Sequence, residues 1–428
     1  MGGARALAVS LGLLALAAGS QALSQSSAPG PPSPGLLAEG RRLAVLGDCE
    51  GCHDRPGGAP FAGGYPLATP FGTVYSANIT SDPAAGLGAW SEADFYRAMH
   101  QGLGARHEHL YPAFPYPYFT RMPRADVDAL WAYLRTVPPS PDRPPPNRLV
   151  FPVSIRAIVG LWNWLNFHPG DFQPTAGQSD EWNRGAYIVN GPGHCGAWHT
   201  PKNLLAGDEW TRPLQGGLVD NWFAPDLNGD AHGGLADWSQ ADIVEFLKTG
   251  RNPHSSGSAS MALIIQHSTS LMNDADLAAI ALYLKSQPPA VLPAPGPDPG
   301  APAMQTGAAI YRDQCASCHR ADGQGVARVF PTLAGSALAQ AHNPTTVLRY
   351  ILTGSPSVAT AARPTPIAMP AFAWKLSDAE IADVATYVRG AWGNAAPPVT
   401  ARQVGDLRRR VAAHPARPEH AAPGRDAP

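Results

Sequence analysis

The sequence has few cysteines, little net charge and no hydrophobic run long enough to span a membrane. Only five cysteines occur in 428 residues, and all five fall within three short motifs, so none remains for a disulfide framework. Two C-x-x-C pairs close together, the usual pattern of a structural zinc site, are also absent. A net charge of only -2 gives no electrostatic basis for binding nucleic acid. We therefore expect the cysteines to bind a cofactor rather than to form disulfides or a structural zinc site.

An apolar run at residues 6–18 lies near the N-terminus. Arg5 precedes it and the small residues around Ser20-Gln21-Ala22 follow it, which is the pattern of a secretory signal peptide with its cleavage site. The run falls short of the roughly 20 residues that a membrane-spanning helix needs. We therefore predict a signal peptide at 1–22 and export of the chain, with an uncleaved anchor helix as the alternative.

Three copies of one five-residue pattern lie far apart in the chain. They are Cys49-Glu50-Gly51-Cys52-His53, Cys195-Gly196-Ala197-Trp198-His199 and Cys315-Ala316-Ser317-Cys318-His319. C-x-x-C-H is the attachment signature of c-type haem, in which two thiolates add to the haem vinyl groups and the adjacent histidine binds the iron. The motifs therefore predict an electron carrier with haem c as its cofactor, and they place the chain outside the cytoplasm, where c-type haem is attached in bacteria.

The first and third motifs are intact, whereas the second is altered. The predicted attachment residues are Cys49, Cys52, Cys195, Cys315 and Cys318, and the predicted iron ligands are His53, His199 and His319. In the second motif Trp198 replaces a cysteine, and an indole would crowd a close-packed site although Cys195 can still form one thioether. Three outcomes stay open for this motif: a fully bound haem, a weakly held haem, or an empty unit kept as scaffold.

Haem iron in an electron carrier also needs a sixth ligand, and a methionine sulfur opposite histidine raises its reduction potential. Met369 lies in the predicted loop before the last helix of the third segment, and Met261 occupies the matching loop of the second. Met272 competes with Met261 but adjoins the last helix. A single methionine is ordinarily a core residue, yet these two occupy aligned loops. We therefore predict Met369 and Met261 as sixth ligands.

The first segment has Phe114 where this methionine is expected. Met122 is the nearest sulfur, but it lies close to the last helix and would need the loop to tighten. His107 and His109 could instead supply an imidazole, which would lower the reduction potential relative to methionine. We predict Met122 as the ligand, with a histidine or an open five-coordinate iron as alternatives.

The motifs belong to a longer repeat, which predicts three similar domains. A helical pattern precedes each motif, another follows it with Ser91 or Ser239 as N-cap in the first two copies, and a last helix closes each segment. Proline-rich stretches separate the copies. We therefore predict an all-α fold of three tandem class I cytochrome c-like domains. The predicted boundaries after the signal peptide are domain one at 37–137, a linker with an apolar segment at 138–175, domain two at 176–287, a Pro-rich linker at 288–302, domain three at 303–397 and a polar tail, partly a short helix, at 398–428.

The linker contains an apolar and aromatic segment at 155–167. It is too short to span a bilayer but could lie in a membrane interface. The favoured interpretation is a linker helix packed across two haem domains, and contact with the membrane surface is the alternative.

Segments outside the haem motifs resemble a known family. They are Thr69-Pro70-Phe71-Gly72-Thr73-Val74-Tyr75-Ser76-Ala77-Asn78-Ile79-Thr80, Trp90-Ser91, Tyr111-Pro112, and Asn183-Arg184-Gly185-Ala186-Tyr187 leading to Gly193-His194-Cys195. From roughly residue 41 to residue 392 the chain is similar to the multihaem cytochrome c subunits of membrane-bound periplasmic dehydrogenases of the alcohol, gluconate, sorbitol and aldehyde type. That family usually has methionine at the place of Phe114 and cysteine at the place of Trp198, so this chain departs from it at both positions.

The resemblance implies a periplasmic electron-transfer subunit, exported and peripheral on the cytoplasmic membrane. Its partner would be a dehydrogenase catalytic subunit of the molybdenum, flavin or quinone type, and its acceptor ubiquinone or another respiratory acceptor. No residue suggests a substrate pocket with its own acid, base or nucleophile, so we expect no catalytic residue in this chain. The alternative is a haem redox enzyme, such as a peroxidase, that uses an open coordination site in domain one.

Overall fold

A computed structural model describes residues 30–230, 232–289 and 296–413. The predicted signal peptide at 1–22 and the end of the predicted tail lie outside the described residues. Helices dominate the structure, and they fall into three successive groups that we call unit one (34–134), unit two (180–285) and unit three (302–413).

Unit one begins with a long helix that leads directly into the first Cys-His motif. Its elements are α1 (Pro34–Leu46), α2 (Cys49–His53), β1 (Pro66–Thr69), β2 (Gly72–Tyr75), α3 (Glu92–Gln101), α4 (Tyr116–Phe119) and α5 (Arg124–Leu134). The connection to unit two adds β3 (Arg148–Leu149) and α6 (Ala157–Asn166).

Units two and three repeat this order with small variations. Unit two consists of α7 (Asp180–Asn190), α8 (Gly196–His199), β4 (Gln215–Val219), β5 (Trp222–Asp226), α9 (Gln240–Thr249), α10 (Ala259–His267), a 3-10 turn (Thr269–Leu271) and α11 (Asp274–Lys285). Unit three consists of α12 (Pro302–Gln314), α13 (Ala316–His319), α14 (Ala337–Gln340), α15 (Thr345–Thr353), β6 (Ser355–Pro356), β7 (Ala368–Met369), α16 (Asp378–Gly390) and α17 (Ala401–Ala413).

The fold is rich in helix but is not all-α, which corrects the prediction. The described part of the chain contains three small antiparallel sheets, in the orders β1-β2-β3, β4-β5 and β6-β7. The β4-β5 hairpin turns at Asp220 and Asn221, whose φ angles of 51° and 56° are those of a two-residue turn that matches strand twist. Such short, half-buried strands carry too little alternation of polar and apolar residues to be recognised in the sequence.

In each unit the first helix crosses a later long helix at a glycine; this is the last helix in units one and two, and α16 in unit three. A side chain at any of these glycines would collide with the partner helix. Its Cβ would lie far inside van der Waals contact with a backbone carbonyl oxygen of that helix. The distances would be 2.0 Å from Gly40 to Ala129, 1.9 Å from Gly185 to Ala279 and 2.2 Å from Gly307 to Asp383. The close crossing of α1 with α5, α7 with α11 and α12 with α16 thus depends on these glycines.

The predicted N-caps are confirmed. Ser91 begins α3 and Ser239 begins α9, and each accepts a hydrogen bond from the backbone of the third helical residue, Asp94 or Asp242. The carboxylate of that residue reaches back to the serine, which completes a capping box.

Units one and two share one hydrophobic core, whereas unit three has its own. Leu43 and Leu46 of α1 belong to the same cluster of buried residues as Ile188 of α7 and Leu277 of α11. The carboxylate of Asp276 accepts hydrogen bonds across this boundary from Arg42 at 2.9 Å and within unit two from Arg184 at 2.8 Å. Units one and two therefore pack as one body around a common interior.

The C-terminal segment is more than the predicted polar tail. The predicted short helix is present as α17, but its Val404 and Leu407 are buried in the core of unit three. Arg408 forms an ion pair with Asp378 at the start of α16, with Nε and Oδ1 2.7 Å apart. The helix is amphipathic, and its apolar face completes unit three.

Helix α6 contacts both of the units that it connects, as favoured for a linker helix. Trp162 donates through Nε1 to the carbonyl of Leu205 in unit two at 2.9 Å, and Asn163 accepts from the hydroxyl of Tyr116 in unit one. Its other side, including Leu161 and Trp164, is exposed to solvent. Within 30–230, 232–289 and 296–413 no helix has the length and apolarity needed to cross a membrane.

Candidate haem-binding sites

Each Cys-His motif forms a single turn of helix after the long first helix of its unit. These turns are α2, α8 and α13, and each ends at the motif histidine. In unit three the turn follows the helix directly, where Cys315 N donates to Tyr311 O and His319 N to Cys315 O, whereas in unit two residues 191–195 separate α7 from the turn. The local backbone therefore places the cysteines and the histidine on one short, tight element.

The three motif histidines make the same hydrogen bond. Each ring Nδ1 lies close to a backbone carbonyl oxygen further along the chain: 2.6 Å from His53 to Ala77, 2.7 Å from His199 to Pro225 and 3.0 Å from His319 to Pro331. A carbonyl can only accept, so Nδ1 carries the proton and Nε2 keeps its lone pair. A histidine oriented by a hydrogen bond on one nitrogen and open on the other is the usual form of a metal ligand.

The electrostatics keep these imidazoles neutral. Burial lowers the pKa of all three, and it lowers the pKa of His199 to about 4. Burial also raises the pKa of the Cys49 and Cys195 thiols to about 12 and that of the Cys315 thiol to about 11. The largest cause of these shifts is an apolar surrounding with little access to water. Nearby charges add to it: Asp48 raises the pKa of Cys49, and Lys202 lowers the pKa of His199.

Haem c fits these surroundings. It needs a neutral imidazole with a free Nε2, thiols to form thioethers, and apolar walls for a flat ring. Cys49 and Cys195 pack against the core shared by units one and two, and Cys315 packs against the core of unit three. The donor set and its apolar lining therefore suit this cofactor in all three units.

The predicted sixth ligands of the second and third sites lie in different kinds of structure. Met369 is half-buried in β7 and packs against the core of unit three together with Cys315. Met261 lies on α10, which corrects the prediction that it occupies a loop, and packs against the same core as Cys195. The competitor Met272 is itself buried in that core, and its carbonyl accepts from Lys248 Nζ.

In the first site the sulfur and the histidines have different surroundings. Met122 is buried in the shared core to which Cys49 also belongs. His107 is exposed to solvent, and His109 packs against Gly160 of α6. Phe114 lies with its ring centroid 5.4 Å from that of Phe119 and fills apolar space in the same core. Met122 thus lies in the interior and His107 at the surface, and Met122 stays the predicted ligand of the first site.

Comparison with known proteins agrees with this geometry. Residues 304–392 match the family model described as Cytochrome c. Over 396 residues, 87% of this chain and 84% of the relative, the chain is 42% identical to "Alcohol dehydrogenase (quinone), cytochrome c subunit" of Gluconacetobacter polyoxogenes. It is 39% identical to "Gluconate 2-dehydrogenase cytochrome c subunit" of Pantoea cypripedii, over 87% of this chain and 90% of the relative. It is 34% identical to "Fructose dehydrogenase cytochrome subunit" of Gluconobacter japonicus, over 92% and 87%.

The chain belongs to the family of cytochrome c subunits of dehydrogenases. The resemblance noted in the sequence is thus confirmed, and so are haem c as the cofactor and electron transfer as the function of this cytochrome c subunit.

The structure of the cytochrome c subunit also shows a half-buried cation at the altered second motif, which the sequence did not reveal. Lys202 Nζ donates to the carbonyl of Ala197 in α8 at 2.7 Å and forms an ion pair with Asp208. Asp208 also accepts from the hydroxyl of Tyr118 in unit one at 2.6 Å. A cation at the C-terminal end of a helix stabilises its free carbonyls. Lys202 therefore supports the turn that carries Trp198.

The carbonyls that orient the three histidines were likewise not found from the sequence. A pattern of side chains does not show which backbone carbonyl will accept a hydrogen bond. These carbonyls also lie 24, 26 and 12 residues along the chain from their histidines. Two of these carbonyls belong to the short hairpins that the sequence did not predict, since Ala77 follows β2 and Pro225 lies in β5.

Proposed function

We propose that this cytochrome c subunit is a periplasmic electron carrier that accepts electrons from a dehydrogenase catalytic subunit and passes them to ubiquinone or another respiratory acceptor. The observation that carries the proposal is the identical orientation of His53, His199 and His319, each with Nδ1 engaged and Nε2 open. The names of the relatives support a dehydrogenase as the partner.

Three sites would hold haem c, which supplies one-electron oxidation and reduction when bound. Site one comprises Cys49, Cys52, His53 and Met122; site two comprises Cys195, His199 and Met261; site three comprises Cys315, Cys318, His319 and Met369. Each would be the centre of one class I cytochrome c-like domain. We assign no catalytic residue to the chain, because the residues that fit a function are those that attach, orient and enclose the cofactor.

Site two would hold its haem through a single thioether at Cys195. Two contacts support this assignment despite Trp198. The hydrogen bond from His199 to Pro225 has the same geometry as in the intact sites. The backbone of the motif is also held in place, since a Cβ on Gly217 of β4 would lie 2.4 Å from the carbonyl oxygen of Trp198.

The order of the sites in space would follow their order in the chain. Helix α10, which carries Met261, contacts motif helix α2 at one end, where His267 Nδ1 lies 3.4 Å from Glu50 Oε1. Just before its other end, Gly257 accepts from the backbone of Val358 in unit three at 2.8 Å. Site two therefore would stand between sites one and three, so electrons would pass through unit two.

The exposed side of α6 is our candidate for contact with the membrane surface. Trp164 is 79% exposed, and Leu161 and Leu165 of the same helix are exposed as well. Phe151, in the segment before the helix, is also exposed. Arg156 precedes the helix and supplies a positive charge near this apolar surface. An amphipathic helix of this kind can bind a lipid interface without spanning it. This surface would hold the carrier beside a lipid-soluble acceptor.

The function is tested with the full chain produced together with a c-type haem maturation system. For the acceptor, the protein is reduced with ascorbate and mixed with a short-chain ubiquinone. For the donor, the oxidised protein is mixed with purified dehydrogenase and its substrate. We expect covalent haem that is reduced by the dehydrogenase and reoxidised by the quinone. Haem that binds peroxide and turns it over, with no exchange of electrons with the dehydrogenase, would contradict the proposal and favour the peroxidase alternative.

Membrane contact is tested by flotation with vesicles of phosphatidylethanolamine and phosphatidylglycerol. We expect Trp164→Ser to reduce the bound fraction. Trp374→Ser is the matched control, because Trp374 is equally exposed, at 82%, but lies in unit three. Equal binding by both variants would exclude α6 as the membrane-binding surface.

A further inference from the structure

Arg251 is a buried arginine that extends from unit two into unit three. It follows Gly250, which ends α9 in the left-handed conformation with φ 78°, and only 6% of Arg251 is exposed. Its Nη2 donates to the hydroxyl oxygen of Ser357 and to the carbonyl of Thr365, both at 2.8 Å. Within the described part of the chain, Nε of Arg251 is buried without a hydrogen-bond partner, so both of its side-chain hydrogen bonds come from Nη2. Burying a cation is costly unless it is hydrogen-bonded, and these two acceptors therefore define where the arginine acts.

Both acceptors belong to the segment that leads to Met369. The hydroxyl oxygen of Ser357 also accepts from the backbone N–H of Ile367 at 2.9 Å, and the N–H of Ser357 donates to the carbonyl of Ile367 at 2.7 Å. In the β6-β7 pair, Ser355 lies opposite Met369. Arg251 therefore binds Ser357, and the hydrogen bonds of Ser357 hold Ile367, which lies two residues before Met369, the proposed ligand of site three.

Unit two holds the same segment from a second direction. Val358 donates to the carbonyl of Gly257 at 2.8 Å, and Ser258 forms an isolated bridge with Ser357. The packing is close, because a Cβ on Gly250 would lie 2.0 Å from Cγ1 of Val358. The strand that follows α15 is thus fixed to unit two by backbone bonds and by Arg251.

The other side of Met369 is fixed within unit three. Gly354 has φ 63°, and a Cβ there would lie 2.3 Å from the carbonyl oxygen of Met369. After the methionine, the N–H of Phe372 donates to the carbonyl of Ile351 at 2.9 Å. Unit three thus holds the chain after Met369, whereas the residues before it are held across the boundary by Arg251.

We propose that Arg251 is a positioning residue for site three, which fixes from unit two the strand that presents Met369 to the iron. The inference rests on the proposed function, since it takes Met369 as the sixth ligand. It makes the ligation of site three depend on the docking of unit two.

The test compares Arg251→Gln with Arg349→Gln in the haem-loaded full chain. Arg349 is the matched control because it is 5% exposed and crosses the same boundary, where it donates to the carbonyl of Asp220 at 2.7 Å. The readouts are the charge-transfer absorption of methionine-ligated ferric haem, the rate of imidazole binding and the midpoint potential. For Arg251→Gln we expect a loss of absorption, a lower potential and about tenfold faster imidazole binding, the factor that corresponds to one charged hydrogen bond.

Further variants assign the effect to site three. Arg251→Lys should recover part of the absorption, because it keeps the charge but not the planar fork of donors. In a Met369→Ala background, Arg251→Gln should cause no additional change. If Arg251→Gln does not fold, Ser357→Ala removes the acceptor within unit three and should shift the same readouts in the same direction.

The outcomes separate this inference from the proposed function. Parent-like absorption and imidazole binding in Arg251→Gln would overturn the inference, and so would equal changes in Arg349→Gln, which would show a general loosening of the boundary. Absence of covalent haem from the parent peptide that contains Cys315 and Cys318 would instead contradict the proposed function.

Discussion

His199 donates through Nδ1 to the carbonyl of Pro225 at 2.7 Å, although the residue before it is Trp198 rather than cysteine. The loss of one attachment residue has therefore left the orientation of the ligand unchanged. Because iron ligation depends on that orientation and a thioether only anchors the ring, we expect site two to keep its haem with Cys195 alone.

Restoring the second cysteine should strengthen this site. We expect Trp198→Cys to raise the share of chains with haem covalently bound at site two and to leave sites one and three unchanged, because the new thiol would take the place that a second thioether needs. Mass spectrometry of the peptides that contain Cys195 and Cys315 provides the measurement and its internal control. No change at Cys195 would show that the turn does not accept a second thioether.

The sixth ligand of site three sets its potential. Met369→His should lower the midpoint potential of that site by a substantial part of the roughly 0.8 V range that axial ligands cover, since imidazole favours ferric iron more than a thioether does. Met272→Leu is the control in unit two, because Met272 is a core residue near the last helix. Redox titration of both variants checks this, and an unchanged potential in Met369→His would remove Met369 from the coordination sphere.

The glycine crossing can be tested with two residues of one helix. Gly40→Ala should destabilise the protein by about 1–3 kcal/mol, because its Cβ would lie 2.0 Å from the carbonyl oxygen of Ala129. Gly35→Ala, also in α1, has no neighbouring atom within 4 Å and should be neutral or stabilising by up to about 1 kcal/mol. Urea denaturation compares them, and equal effects would argue against a close crossing of α1 and α5.

Asp276 joins units one and two through Arg42 and Arg184. Burial raises the pKa of Asp276, but the two guanidinium groups outweigh burial and hold this pKa below its usual value. Asp276→Asn should therefore cost about 1–3 kcal/mol at neutral pH, an effect that disappears as the pH falls through the folded-state pKa. Asp274→Asn is the control: its side chain is 88% exposed, and its pair with Lys248 should contribute less than about 1 kcal/mol. Equal costs would exclude Asp276 as the link.

The contact between His267 and Glu50 should make stability depend on pH. Burial lowers the pKa of His267, but its hydrogen bond with Glu50 and the nearby carboxylates of Asp48 and Asp54 outweigh burial and raise it overall. The resulting stabilisation is complete below the unfolded value of about 6.5 and is lost as the pH rises through the folded-state pKa. Denaturation midpoints should therefore decrease as the pH rises above about 6.5, and this decrease should be smaller in His267→Gln and in Glu50→Gln. An unchanged slope in both would contradict this pairing.

Local signals made much of the helical structure predictable. Ser91 and Ser239 were identified as N-caps because a capping serine and the acidic residue three positions later lie within one turn of sequence. The motif cysteines and histidines were identified for the same reason, since their whole signature spans five residues.

The features that could not be predicted from the sequence depend on contacts between segments that are distant in the chain. Met261 lies on a helix rather than in a loop because α10 is packed between motif helix α2 and Val358 of unit three. Val404 is buried because α17 folds back onto unit three. The role proposed for Arg251 likewise depends on Thr365, which lies 114 residues further along the chain.

The most direct test is the number of covalent haems per chain. The full chain is produced with a c-type haem maturation system, its haem content is determined as pyridine haemochrome, and its intact mass is measured after denaturation. We expect three covalent haems, with one thioether at Cys195 and a continuous path through unit two. Two haems, with none on the peptide that contains Cys195, would contradict this, because they would leave unit two as an empty scaffold between sites one and three.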